Sequence, residues 1–231
     1  MYVEKDHDPM HLLQNKLYDI NQTEYIKKYS RGYCIDVGAF IGYTTLLMAK
    51  NATAVYAFEP NPYNFNLLNW NIQLNKNGNV WNYNYAVVDY SRPSEMDLYL
   101  CESNKGMSRL YPSMWCKDGT VKVKTIRLDD MDLDCVDFVK IDVEGSEFGV
   151  LLGMQNIIEK FHPILMMEFH IPSIEECGDN PFHIYDFLEK NNYNRIKLLA
   201  NQSNEKDIND ISYSELEKIT SKKSSKNIIC F

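Results

Sequence analysis

The stretch from Cys34 to Asn61, CIDVGAFIGYTTLLMAKNATAVYAFEPN, constrains the fold more than any other part of the chain. An apolar run ends at Asp36, a turn holds Gly38 and Gly42, a helical pattern follows, and a second apolar run closes on Glu59. This is the layout of a nucleoside-binding βαβ unit, whose acidic residue about 20 positions after the glycines meets a ribose hydroxyl pair. A glycine after a buried strand is also an ordinary device for a tight turn, so the turn alone leaves both readings open. Glu59 favours the nucleoside: an acidic side chain left unpaired at the carboxyl end of a central strand is costly unless a ligand sits there.

The glycines also bear on which nucleoside it is. A dinucleotide site needs about three, so that backbone and helix N-terminus can close on a pyrophosphate. Here only Gly38 and Gly42 remain, with Ala39 between them. Asp36, just before the turn, would repel a pyrophosphate and suits a ligand carrying a sulfonium and an ammonium group, which describes S-adenosylmethionine. On this reading Asp36 and Gly38 meet the methionine end, with Ala39 and Gly42 completing the turn. Glu59 takes the ribose, Pro60 and Asn61 one side of the adenine, and Ala86 with Asp89 its other edge. Asp89 reads equally well as an ordinary turn residue.

The remainder of the chain is expected to form one α/β domain. Its 231 residues accommodate such a domain with insertions. Residues 1–30 read as a helical cover, 31–231 as the cofactor-binding domain, and about 95–126 as a hairpin or lid inserted in it. No apolar run could span a bilayer, and MYVEKDHDPMHLLQNK has no signal-peptide core. A net charge of −8, with one basic cluster at Lys222, Lys223 and Lys226, argues against nucleic acid as a partner. The expectation is a cytoplasmic protein with no membrane partner, for which a homodimer stays open. The six cysteines form no C-x-x-C pair and read as free thiols in a reducing compartment. His7 and His11 have a metal-binding spacing but lie near an unanchored terminus.

In chain order, residues 10–30 read as one or two short helices, with Leu12, Leu13 and Leu17 on one face and Tyr25, Ile26 and Tyr29 on the next, covering one end of the sheet. YCIDV and VYAFE are the first two strands. The helix after Glu59 opens with Asn61 as N-cap and Pro62 at its first position, and buries Phe65, Leu68 and Ile72. VWNYNYAV is a third strand leading to Ala86. MDLYL and VKVKTI alternate with period two and form the inserted hairpin, residues 102–120 being its tip. VDFVKID is a continuous apolar run, hence a central strand covered on both faces, and ends in Asp142. A helix over 147–160 turns Val150, Leu151, Met154, Ile157 and Ile158 inward. PILMMEFH is another central strand, delivering Glu168 and His170 to the edge already holding Asp36, Glu59 and Asp142. A helix begins near Asn180 and Pro181, and the strands YNRIKLLA and NIICF close the domain, separated by a polar loop from Asn201.

The segments IDVGAFIGYTT, VYAFEPNPYNFNLLNWNIQLN, VKTIRLDD, VKIDVEGSEFGVLLG and ILMMEFH, in this order and spacing, resemble the FkbM-type S-adenosylmethionine-dependent methyltransferases. K-I-D-V-E-G-x-E is far more specific than the glycine turn. The resemblance implies a Rossmann-like, seven-stranded, doubly wound sheet whose last strand, NIICF, is antiparallel. It also implies O-methylation of a hydroxyl on a sugar, glycan or small metabolite. One position departs: the family commonly has Asn where this chain has Phe40.

Methyl transfer to an aliphatic hydroxyl needs the acceptor oxygen held in line and its proton removed. His170, just past a strand end, is the preferred base, with a surface histidine capping the strand as the bland alternative. Asp142 and Glu144 join it as catalytic candidates, and Asp142 also belongs to the cofactor set. With Glu168 they could bind acceptor hydroxyls or chelate a divalent ion, which is not favoured. As structural residues they would be a helix cap and a solvated charge. In the insertion, Met107, Tyr111, Met114 and Trp115 accompany Asn104 and Ser108, as a sugar-binding lid requires, although a cover for the sheet or a subunit contact needs similar residues. Ser108, Trp115, Glu144, Glu168 and His170 are therefore the expected acceptor contacts. Two other enzyme readings fail on the residues: Asn61-Pro62-Tyr63 follows the wrong strand to be an amino-methylating motif, and a nicotinamide enzyme would need the missing glycines. A degenerate fold serving as a binding scaffold is the remaining alternative.

Overall fold

The structure is a computed structural model and describes residues 20–101, 105–199, 207–220 and 226–231. The expectations placed on His7, His11, Leu12, Leu13, Leu17, Asn104, Lys222 and Lys223 lie outside the described residues. Seven strands form the main sheet: β1 (Gly32–Val37), β2 (Ala52–Phe58), β3 (Val80–Tyr83), β7 (Phe138–Ile141), β8 (Ile164–Phe169), β9 (Ile196–Leu198) and β10 (Lys226–Cys230). Their order is β3-β2-β1-β7-β8-β10-β9, with β10 antiparallel to both neighbours and the first five parallel. A smaller sheet holds β4 (Ala86–Val87), β6 (Thr120–Ile126) and β5 (Glu95–Tyr99), in that order.

Period-two alternation divides the strand side chains between two buried faces. Cys34, Val55, Phe138, Met166 and Ile229 pack on one side with Ile26 of α1 (Ile20–Tyr29) and with Leu47 and Met48 of α2 (Tyr43–Met48). Helix α1 thus covers a face of the sheet rather than its end. Helix α3 (Pro62–Leu74) lays Leu68 and Ile72 on Ala39 and Ala57. On the other side Ile35, Val37, Val139, Ile141, Leu165 and Met167 meet α4 (Glu147–Leu152), α5 (Gln155–Phe161), α6 (Ile171–Glu176), α7 (Pro181–Lys190) and α8 (Tyr213–Thr220). The Asn61 side chain caps α3 by accepting from the Tyr63 amide at 3.0 Å, and Asn180 caps α7 the same way at 2.9 Å.

Three elements differ from the sequence reading. The third strand ends at Tyr83, because Asn84 turns the chain by donating to the Glu59 and Pro60 carbonyls at 2.8 and 2.9 Å; Ala86 then enters the second sheet opposite Thr125. The helix expected over 147–160 is two helices. It breaks at Gly153, where a Cβ would lie 2.0 Å from the Val88 carbonyl oxygen, and Asp129 caps α5 by accepting from the Asn156 and Ile157 amides at 3.0 Å each. The polar stretch before the last strand contains α8, whose Leu216 reaches the core.

Candidate active site

Strand order makes the site: β1 leads the chain toward β2 and β3 on one side, β7 toward β8 on the other, so their carboxyl ends part at a switch point. At this crevice Gly38 has φ +79, and a Cβ there would fall 1.8 Å from the Asp142 carbonyl oxygen. The turn after β1 is thus pressed directly against the segment after β7. The Gly38 and Ala39 amides both donate to Phe58 O at 3.0 Å, so neither is aimed outward as a phosphate cradle would require.

Asp36 departs from its expected role. It is fully buried, accepts from the Thr44 and Thr45 hydroxyls at 2.7 and 2.6 Å, and lies 3.5 Å from Lys140 Nζ. It supports the turn from beneath and presents no face to a ligand. Lys140 is 3% exposed, stands opposite Asp36 in the β1–β7 ladder, donates to Gly38 O at 3.1 Å and lies 3.3 Å from Asp142 Oδ2. Ala39 is also turned inward, onto Ala57, Leu68 and Ile72. Gly42 opens α2 at φ +96, against Leu68.

Glu59, 6% exposed, is not unpaired as its strand-end position suggested. Oε2 accepts from the Phe40 amide and Oε1 from the Asn61 amide, each at 2.9 Å, stapling the glycine turn to the start of α3. Burial pushes its carboxyl up to about 7, against the lowering effect of these amides, Asn64 and Lys140. Four lone-pair directions on a carboxylate still leave room for a hydroxyl. Phe40 has φ +50, the left-handed region that Asn tolerates better than Phe, which gives a backbone reason for the residue usual in the related sequences.

Ala86 and Asp89 do not line this crevice as expected. Ala86 packs with Val88, Leu98 and Val123 inside the small sheet. Asp89 forms a turn with Ser91, whose amide reaches Oδ1 at 2.6 Å, while Arg92 Nε lies 3.3 Å from Oδ2. It borders instead a cavity of about 130 Å³ with Arg92, Tyr111, Ser146, Phe148, Gly149 and Cys177. Pro60 and Asn61 remain beside Glu59, and Asn61 Nδ2 lies 3.4 Å from Ser108 Oγ, bringing the insertion to this end of the crevice.

At the other end Asp142, Glu144 and Glu168 converge, one carboxylate oxygen of each lying within 4.8 Å of the others. Three oxygens at this spacing fit sugar hydroxyls or a divalent cation, although an ammonium beside Asp142 repels a metal ion. Burial, with Asp142 nearby, raises the Glu144 carboxyl to about 7, opposed by Arg109. His170 begins α6 with Nδ1 2.7 Å from Ser173 Oγ, and burial followed by the charge of Arg109 lowers its pKa.

Sequence reasoning missed Lys140, Thr44, Thr45, Arg109 and Glu147. Arg109, 3% exposed, reaches Glu176 Oε2 at 2.8 Å and Glu144 Oε2 at 3.4 Å, with Nε buried and unpartnered. Glu147 accepts from the Val143 and Gly145 amides at 3.2 and 3.1 Å, and burial raises it to about 7. For Arg109 the available signal was a lone arginine amid the aromatic residues of the insertion, while Lys140 and Glu147 open and close the K-I-D-V-E-G-x-E motif already singled out. Trp115, 64% exposed, stands at the surface of that insertion.

The sequence profile of the Methyltransferase FkbM domain matches residues 36–195, more than half of the chain, from the end of β1 through β8. The chain belongs to the FkbM methyltransferase family. Over 139 residues it is 30% identical to hexuronic acid methyltransferase AglP of Haloferax volcanii, covering 58% of this chain and 54% of the relative. It therefore spans about half the length of the curated relative it matches. Among solved structures it resembles the FkbM methyltransferase of Methylobacillus flagellatus KT at TM-score 0.57 and 14% identity, covering 87% of this chain and 44% of that one. It also resembles SMU.1697c, a methyltransferase-like protein of Streptococcus mutans solved with SAH, at TM-score 0.51 and 9% identity, covering 100% and 98%. At these identities the two structures establish the fold, which is that of a Rossmann-like methyltransferase with its last strand antiparallel.

Proposed function

We propose that this FkbM-family chain transfers the methyl group of S-adenosylmethionine to a hydroxyl of a sugar, a glycan or a small polyhydroxylated metabolite. The observation carrying this reading is the contact between the glycine turn and Asp142: cofactor turn and carboxylate corner share one wall, at Gly38. The 30% identity to a hexuronic acid methyltransferase supports a sugar as acceptor.

When bound, the cofactor supplies an electrophilic methyl on a sulfonium. Glu59 offers its remaining acceptor capacity to the ribose, beside Pro60 and Asn61. Asp142, Glu144 and Glu168 accept from the acceptor's hydroxyls and orient the reacting oxygen. With Nδ1–H donated to Ser173 Oγ, His170 Nε2 carries the lone pair that removes the hydroxyl proton as the O–CH3 bond forms and the S–CH3 bond breaks. Exposed Trp115 offers a ring face, and Ser108 a hydroxyl, to the rest of the sugar. A metal is not favoured at these carboxylates, because the Lys140 ammonium lies 3.3 Å from Asp142 Oδ2. The acidic balance of the chain disfavours nucleic acid. Among the described residues no helix is long and apolar enough to cross a membrane.

Calorimetric titration with S-adenosylmethionine and with NAD tests the cofactor. Heat is expected only with the first, and should be abolished by Glu59→Ala. A wild-type chain that binds neither is a scaffold, and the proposal is wrong. Transfer of labelled methyl to a panel including methyl β-glucoside and methyl β-glucuronoside, read by mass shift, tests the acceptor. Activity should survive EDTA; its loss would assign the three carboxylates to a metal instead.

A further inference from the structure

We infer that Arg109 and Tyr111 are positioning residues for methyl transfer: from the inserted hairpin they hold the segment after β7, and with it Glu144, in its working geometry. The inference rests on the reading that Glu144 faces the acceptor. It turns the insertion from a lid that opens into a fixed wall of the site.

The segment 142–146 has a backbone shape that contacts from outside it favour. Glu144 has φ +58 and Gly145 φ +110, two successive left-handed residues, and the first is a side chain for which that region is unfavourable. Glu147 of α4 supports the segment through the Val143 and Gly145 amides, and further contacts come from the insertion. The Tyr111 hydroxyl is shared between Glu144 O at 2.6 Å and Ser173 O at 2.9 Å, bridging the loop after β7 and the first turn of α6. Gly145 is required there: its Cβ would lie 2.5 Å from that hydroxyl and 2.4 Å from Ser173 O. Arg109 contacts the Glu144 carboxylate with Nη2 and Glu176 of α6 with Nη1. Ser113 Oγ and the Met114 amide add bonds to Glu176 Oε1 at 2.9 and 3.2 Å. Lifting the insertion would strip a buried guanidinium of both carboxylates and expose Tyr111, which argues for a clamp rather than a gate.

Amide hydrogen exchange on the full chain with saturating SAH, for wild type, Arg109→Met and Tyr111→Phe, reads the inference directly. In wild type, 105–117 and 142–146 should both exchange slowly. Each variant should accelerate 142–146 by about tenfold or more while β1 and β8 keep their protection. Transfer to methyl β-glucoside or methyl β-glucuronoside should lose about 100-fold in kcat, with affinity for S-adenosylmethionine unchanged and partial recovery in Arg109→Lys. A wild-type insertion that exchanges like an unstructured peptide overturns the inference, as does a 142–146 segment indifferent to both variants. A wild type that fails to bind S-adenosylmethionine would instead refute the proposed function, and the exchange pattern would still decide the clamp.

Discussion

Gly38 and Phe40 occupy the same turn in left-handed conformations, with opposite expectations on substitution. Gly38→Ala places a methyl group inside the Asp142 carbonyl, so denaturant titration should show a loss of about 3 kcal/mol or more, or no folding. Phe40→Asn should raise stability, by up to about 1 kcal/mol, and leave cofactor affinity intact, because the Phe40 amide that binds Glu59 is retained. His170→Gln should lower kcat by about 100-fold or more without changing cofactor affinity. Since the His170 pKa is lowered from 6.5, the acid limb of the wild-type rate profile should lie below that value. Strand-end position alone nominated Glu59, Asp142, Glu168 and His170, and Asp142 and Glu168 do converge with Glu144. It could not assign Asp36, whose counter-ion Lys140 comes from a strand far along the chain and becomes visible only once β1 and β7 are paired.

The elements were readable where a local pattern matches the packing, as in β1, β2, β7 and the capped start of α3. They were not where a distant contact decides. The break between α4 and α5 depends on Val88 crowding Gly153 and on Asp129, on a separate loop, capping the second helix. Asp129→Ala should therefore cost about 1 kcal/mol, measured by denaturant unfolding, although it lies outside either helix. Helix α3 carries a similar surprise on its buried face: Asn71, fully buried, donates to Ile41 O at 2.7 Å and anchors the glycine loop from below. Asn71→Leu would suit the helix pattern yet leave that carbonyl unsatisfied, and should destabilise by about 1–3 kcal/mol in the same measurement.

Across the whole molecule, three carboxyls whose pKa values burial raises to about 7, Glu59, Glu144 and Glu147, make stability depend on pH. The folded chain retains protons that the unfolded chain, titrating near 4.5, has released. Stability should thus be greatest below about pH 4.5 as far as these groups decide it, and should fall as pH rises toward about 7. Ligand-free protein should melt at a higher temperature at about pH 5.5 than at about pH 8, and Glu147→Gln should flatten that slope. The seven-stranded sheet and its reversed last strand were foreseeable from family resemblance, whereas the second sheet depends on β4 pairing with a strand more than thirty residues downstream. That pairing has a practical corollary. Ala86 and Val87 lie beside Thr125 and Ile126, so everything between them leaves from and returns to one spot. Such a segment could be swapped for a relative's as a unit only together with its moorings, since Ser108, Arg109 and Tyr111 tie it to Asn61, Glu144, Ser173 and Glu176.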